Sequence, residues 1–270
     1  MLILISCFGF VYQKAIAKLI SDWTVDPNFS HGFLIPFVAM YMIWYKQNDL
    51  KEISVTTSNV GLFVVILGMM VHLAGNVGSE LFLMRFSMVI TIAGIVIFNF
   101  GLEMFKAVLV PIFYLILMIP IPSIIWNKIA FPLQLFAASL SSDAISLLSI
   151  PVFREGNILH LSNTSLEVVD ACSGIRSLTS LLALTGAFAF IAPLSRFNKW
   201  LLFVSAIPIA VAVNVFRLTI TGAMAAWIGP ETAKGFLHDM SGFIIFSAAL
   251  ALVYLVFIIQ MRLEKMKKKH

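Results

Sequence analysis

Apolar stretches of about 20 residues recur along almost the whole of this 270-residue chain, and few charges interrupt them. That recurrence limits the fold more than any single residue does. A helical run of this length matches the roughly 30 Å hydrocarbon core of a bilayer, and a backbone facing lipid has to satisfy its own N–H and C=O groups. The runs fall at about 1–20, 32–46, 59–77, 81–101, 104–121, 172–192, 199–228 and 239–261. With 60% hydrophobic residues and only 11% charged, the composition lies well outside that of soluble domains. The chain is therefore expected to be an all-α polytopic membrane protein with about eight transmembrane helices. It reads as a single membrane domain over 1–270, with no room for a separate soluble one.

One segment breaks the pattern. Residues 124–150 are long enough to cross, yet Asn127, Lys128, Gln134, Ser139, Ser141, Ser142 and Asp143 lie among the apolar ones, which favours an amphipathic helix in the interface. Orientation supports that choice. Lys265, Lys267, Lys268 and Lys269 mark a cytoplasmic tail under the positive-inside rule. Counting back, Arg196 and Lys199 then fall inside, as do Lys46 and Lys51, while the outer stretches 22–30 and 159–167 carry no Lys or Arg. The alternation works only if 124–150 does not cross. Both termini are then cytoplasmic, and the run at 1–20 reads as a retained but rather short first span.

The next stretch, 151–166, has apolar residues alternating on either side of Glu155-Gly156-Asn157. That pattern predicts a small β-hairpin over the external face. It would roof a site or serve only as a connector.

The net charge of +5 does not point to nucleic acid, because the basic residues flank the apolar runs and gather at the tail. Cys7 and Cys172 are the two thiols, and a disulfide between them is not indicated. His31, His72 and His160 lack metal-ligand spacing, so no metal or organic cofactor is expected. Membrane lipids are the partners the composition itself demands.

Three residues stand out against this apolar background. Cys172 sits at the start of the sixth run in Glu167-Val-Val-Asp-Ala-Cys-Ser-Gly-Ile-Arg-Ser-Leu178, Arg217 lies inside the seventh, and His238 opens the last. With Asp170 as N-cap, Cys172 falls in a first helical turn, where unpaired N–H groups favour a thiolate. A thiolate beside a base is the usual arrangement for cysteine nucleophilic catalysis. An intramembrane arginine marks function or pairing. The topology brings all three toward the outer face, with Arg217 about 15 Å below the end of its helix and reaching outward along its stem. Each also has a plain reading: a packing cysteine, or an interfacial histidine that solvates a helix start.

On these residues the chain resembles the exosortase/archaeosortase family of membrane-embedded, transpeptidase-like cysteine proteases. The cysteine stretch carries the resemblance, with Asn214-Val-Phe-Arg217 and His238. Phe29-Ser-His-Gly-Phe-Leu-Ile-Pro36, Ile119-Pro-Ile-Pro122 and Arg154-Glu-Gly-Asn-Ile158 support it. The resemblance implies Cys172 as nucleophile, Arg217 and His238 as its catalytic partners, and Glu167, Arg176 and Asn214 as supporting or substrate-binding residues. It implies substrates that are exported proteins bearing a C-terminal sorting signal: a short motif such as Pro-Glu-Pro, a transmembrane helix and a basic cluster. It also implies a bacterial inner membrane, an outward-facing site, an association with exopolysaccharide export and, from the histidine, the bacterial exosortase branch. A small transporter or lipid-linked-glycan carrier using Arg217 as an anion site is the rival, and it leaves the cysteine stretch unexplained.

Overall fold

The computed structural model describes residues 2–168, 175–229 and 236–267, with side chains at all of these except 2, 175–177 and 236–241. The described chain is an all-α membrane fold carrying one small sheet, and it forms two compact units, 1–122 and 123–270. Among the described residues, five helices are long and apolar enough to cross a membrane.

The first unit begins with α1 (Leu2–Val25), which runs 24 residues. At 1.5 Å per residue that is about 36 Å, so the expectation of a short first span is corrected. The chain continues through a 3₁₀ segment (Pro27–Phe33), α2 (Leu34–Tyr45), the short α3 (Gln47–Lys51), α4 (Val60–Val77) and α5 (Leu81–Tyr114). A second 3₁₀ turn covers Leu115–Met118. The apolar runs at 81–101 and 104–121 are one continuous element bent at Gly101, whose φ of 88° and ψ of 174° lie outside the helical region. A side chain there would be strained, and its Cβ would strike the carbonyl of Thr56. Residues 56–58 run along this bend, with Thr56 N and Ser58 N reaching the Phe100 and Phe98 carbonyls at 3.5 and 3.4 Å.

Helices α4 and α5 pack without room for side chains between them. Gly61, Gly68 and Gly75 face Phe98, Thr91 and Met84 in turn, and a Cβ at any of the three would collide with α5. Small residues repeated every seven positions are how helices approach closely in lipid, where no hydrophobic force drives them together.

The second unit starts with α6 (Ser123–Leu147), followed by β1 (Val152–Glu155), β2 (Ile158–Leu161) and β3 (Ser165–Glu167). The long polar segment is thus helical, and it is not among the five helices apolar enough to span. The expected hairpin is present with a two-residue loop, Gly156-Asn157, between Glu155 and its partner Ile158. Gly156 has φ +62° and Asn157 does not have positive φ, the pattern of a II′ turn with glycine first. The sheet is larger than expected, because β3 pairs antiparallel with β2.

Helices α7 (Ile175–Ile191), α8 (Arg196–Trp227) and α9 (Phe236–Lys267) complete the unit. Their core joins Leu181, Ala189, Leu202, Ala206, Ala210, Val213, Ala249, Val253 and Phe257, again with small residues at the closest approaches. Glu264 fastens the α7–α8 turn to α9: its Oε1 accepts from Ser195 N at 2.9 Å and from the Asn198 amide. A carboxylate there also complements the positive end of α8.

Candidate active site

Arg217 and Asn214 lie on α8. Three residues along a helix are about 60° apart around the axis and 4.5 Å along it, so the two share a face. Arg217 is half-buried, whereas Asn214 is only 2% exposed. Helix lengths fix the level of the arginine relative to α7. From the α7–α8 turn, Arg217 is 21 residues along α8, about 32 Å, while α7 returns 16 residues to Ile175, about 24 Å. Arg217 therefore stands about 8 Å beyond the first described residue of α7. This is also the side on which the sheet lies, since Asn163 Nδ2 donates to the carbonyl of Ala225 near the end of α8 at 2.7 Å.

The sheet pins the chain just before the cysteine stretch. Val168 N donates to Asn157 O at 2.9 Å, and Asn157 Nδ2 donates to Val168 O at 3.3 Å. Val168 itself is fully buried, packed with Leu159, Leu161, Ile145 and Leu218. Arg154 Nη1 closes the turn by donating to Gly156 O at 3.0 Å. The sequence Arg154-Glu-Gly-Asn-Ile158 thus has a mechanical role: glycine makes the turn, and asparagine grips the strand that leads into the cysteine stretch. Glu167, the last residue of β3, is exposed and pairs with Ile158.

Cys172 lies outside the described residues, as does Asp170, its expected N-cap. Arg176 is the second residue of α7 and His238 the third of α9, but their side chains are likewise outside the described residues. The structure therefore brings Arg217 and Asn214 together and fixes the backbone on both sides of the cysteine. Cys7, the other thiol, is free and exposed.

A second polar centre, which the sequence reading did not single out, lies in the first unit. Arg85, 2% exposed in the second turn of α5, donates from Nη2 to Asp22 Oδ2 at 2.6 Å. Lys18 Nζ stands 3.2 Å from the other carboxylate oxygen. The signal for it was available: Arg85 sits in an apolar run just as Arg217 does. Beside it, Trp23 Nε1 donates to Met118 O at 2.9 Å, and His31 Nε2 donates to Leu117 O at 3.3 Å. Gly32 leaves the space that the Trp23 indole fills. Burial pushes the His31 imidazole below its ordinary value, against the pull of the Leu117 and Asn28 backbone. Within Phe29-Ser-His-Gly-Phe-Leu-Ile-Pro36, then, His31 and Gly32 clasp the 3₁₀ segment to α1 and to the 3₁₀ turn that follows α5.

No curated protein and no solved structure was found to match the chain. A family model described as transmembrane exosortase matches residues 23–255, from the last turn of α1 to well inside α9. On that match, which takes in most of the sequence, the chain belongs to the transmembrane exosortase family.

Proposed function

We propose that the protein is a cysteine peptidase of the transpeptidase-like kind, cleaving the C-terminal sorting signals of exported proteins at the outer face of the bacterial inner membrane. The observation that supports it best is the level of Arg217, about 8 Å past Ile175 on the side from which the chain arrives at Val168. Cys172 is three residues from Ile175, and three residues reach at most about 11 Å. A guanidinium on a flexible stem is within range of chemistry at that thiol.

In this reading the substrate's own transmembrane helix and basic end hold it beside the enzyme, with its short motif at the outer surface. The Cys172 thiolate adds to the scissile carbonyl carbon. A C–S bond forms, and the π pair moves onto oxygen, where Arg217 donates to the resulting oxyanion. When the intermediate collapses, the C=O re-forms and the C–N bond breaks, and the leaving amine takes the proton that His238 had accepted from the thiol. Water or an acceptor amine then resolves the thioester. Glu167, exposed at the end of β3, and Arg176 are the residues to position the motif.

The test is to trap the acyl-enzyme. Purified protein is mixed with a substrate carrying motif, helix and basic end, quenched, and examined by mass spectrometry. A thioester on Cys172 is expected, and Cys172→Ala should show neither adduct nor cleavage. Full cleavage by the alanine variant would remove the thiol mechanism. Reporter fusions after Asn157 and after His270 should report opposite sides of the membrane, and agreement between them would turn the site inward.

A further inference from the structure

We propose that the cavity between the α7–α8 turn and the end of α9 binds the phosphate headgroup of an anionic glycerophospholipid, with an acyl chain of the same molecule lying along α8. The cavity is open, measures about 480 Å³, and has Ser195, Phe197, Asn198, Glu264 and Lys267 in its wall. That volume falls within the roughly 300–1,000 Å³ of small-molecule sites.

Charge decides what the cavity holds. Residues 192–199 and 262–267 carry five cations, Arg196, Lys199, Arg262, Lys265 and Lys267, against one carboxylate, Glu264. That carboxylate is engaged in the wall, where Oε1 accepts from Ser195 N at 2.9 Å and from the Asn198 amide. It already caps the start of α8, so an incoming anion meets side-chain cations rather than helix amides. Lys199 Nζ is turned onto the Phe190 carbonyl at 2.7 Å. Lys267, in the cavity wall, and Arg196, between the wall residues Ser195 and Phe197, are both exposed. A basic peptide, such as the basic end of a sorting signal, would add like charge to this surplus, whereas a phosphodiester neutralises it. Basic pockets between helices at the cytoplasmic side bind anionic headgroups, and the surplus of Lys and Arg is itself the mark of a cytoplasmic end.

The apolar side of the cavity distinguishes a lipid from a free phosphate. Phe197 stands in the wall yet is 75% exposed, and the exposed Trp200, Leu201, Val204 and Ile207 continue from it at spacings of three and four, along one face of the helix. From Phe197 to Ile207 the stripe runs about 15 Å, which is about the depth of one leaflet's hydrocarbon. A molecule with a phosphate at one end and a chain of that length matches both features. Inorganic phosphate or glycerol 3-phosphate matches only the first.

The test is thermal unfolding of the full chain in a neutral detergent with added dioleoyl phosphatidylglycerol. A ligand that binds the folded state raises the melting temperature by mass action. The rise should be clear with phosphatidylglycerol and much smaller with phosphatidylcholine of the same chains or with glycerol 3-phosphate. Arg196→Gln with Lys267→Gln should weaken phosphatidylglycerol roughly 30-fold, the usual effect of two such cations. Arg262→Gln with Lys265→Gln removes the same charge from parts of α9 outside the cavity wall and should keep most of the stabilisation. All four side chains are exposed, so the variants fold, and native mass spectrometry counts the lipid that each retains. Equal losses in the two pairs would mean diffuse surface charge and overturn the site. Equal stabilisation by phosphatidylcholine would overturn the headgroup selectivity, and equal stabilisation by glycerol 3-phosphate would make the ligand a soluble phosphate. Displacement of phosphatidylglycerol by a Lys-rich peptide would give the cavity to the basic end of a sorting signal instead.

Discussion

Each unit of the chain carries an arginine in an apolar helix, and the two differ in how far they are enclosed. Arg85 is enclosed and neutralised, with Asp22 at 2.6 Å and Lys18 on the carboxylate's other oxygen. Arg217 is half-buried on a face it shares with the Asn214 amide, whose Nδ2 has no acceptor among the described residues. The difference separates two uses of the same rare residue. A cation closed by a carboxylate fastens helices: here the last turn of α1 is tied to the second turn of α5. A half-buried cation stays partly open to its surroundings. The presence of an intramembrane arginine does not distinguish the two, but its enclosure does.

The largest effect should come from opening the closed pair. Asp22→Ala leaves Arg85 buried without its counter-charge, which typically costs about 3–5 kcal/mol. Thermal unfolding in detergent should show it, while turnover per folded molecule stays near wild type. Replacing both partners, Asp22→Leu with Arg85→Met, should recover most of the loss, because a buried pair exchanged for apolar side chains of similar size is often neutral. A loss of turnover in the stable double variant would break the comparison and draw the first unit into catalysis.

Next in size is Arg217→Lys. Lysine keeps the charge but not the planar fork, and loss of an oxyanion donor costs about 10²–10³-fold in rate. Turnover should fall by that amount with the melting temperature unchanged. In contrast, Arg85→Lys retains a cation for Asp22 and should leave turnover intact. If Arg217→Lys works nearly as well as wild type, the arginine acts as a simple charge, as an anion carrier would require.

Much of this was readable beforehand, and the exceptions have physical causes. Helix order followed from the apolar runs, and the polarity of 124–150 set α6 apart, since length and hydropathy are local properties. The bend at Gly101 appeared in the sequence only as a gap between two spans, because no pattern distinguishes a loop from a kinked helix. Strand β3 was missed, since Ser165-Leu166-Glu167 is too short to show alternation and exists by pairing with Ile158 and Leu159. Asp22 was read as part of an outer loop, but α1 runs on to Val25 and holds it in a last turn facing Arg85. That contact joins positions 63 residues apart, a separation that no local spacing encodes. Arg217 stood out as a charge inside an apolar run, whereas Asn214, three residues before it on the same helix, entered only through the family resemblance.

The smallest effect concerns His31 in the first unit. Its imidazole is held below its ordinary 6.5 mainly by burial, so between that depressed value and 6.5 the folded protein binds fewer protons than the unfolded chain. Stability then rises with pH across this window and is lost as pH falls through it, because the buried ring has to take up a proton. His31→Gln keeps an N–H donor within reach of Leu117 O but cannot titrate. Melting temperatures measured from pH 7.5 down to 5 should fall more steeply for wild type than for the glutamine variant, since groups common to both proteins cancel in the difference. At pH 7.5 the two should nearly coincide, and turnover should differ little, because the clasp holds the 3₁₀ segment and carries no chemistry. Parallel melting curves over the whole range would mean that the ring stays neutral in both states or gains protons without cost. A drop in turnover at constant stability would move His31 from the fastened unit to the reactive one.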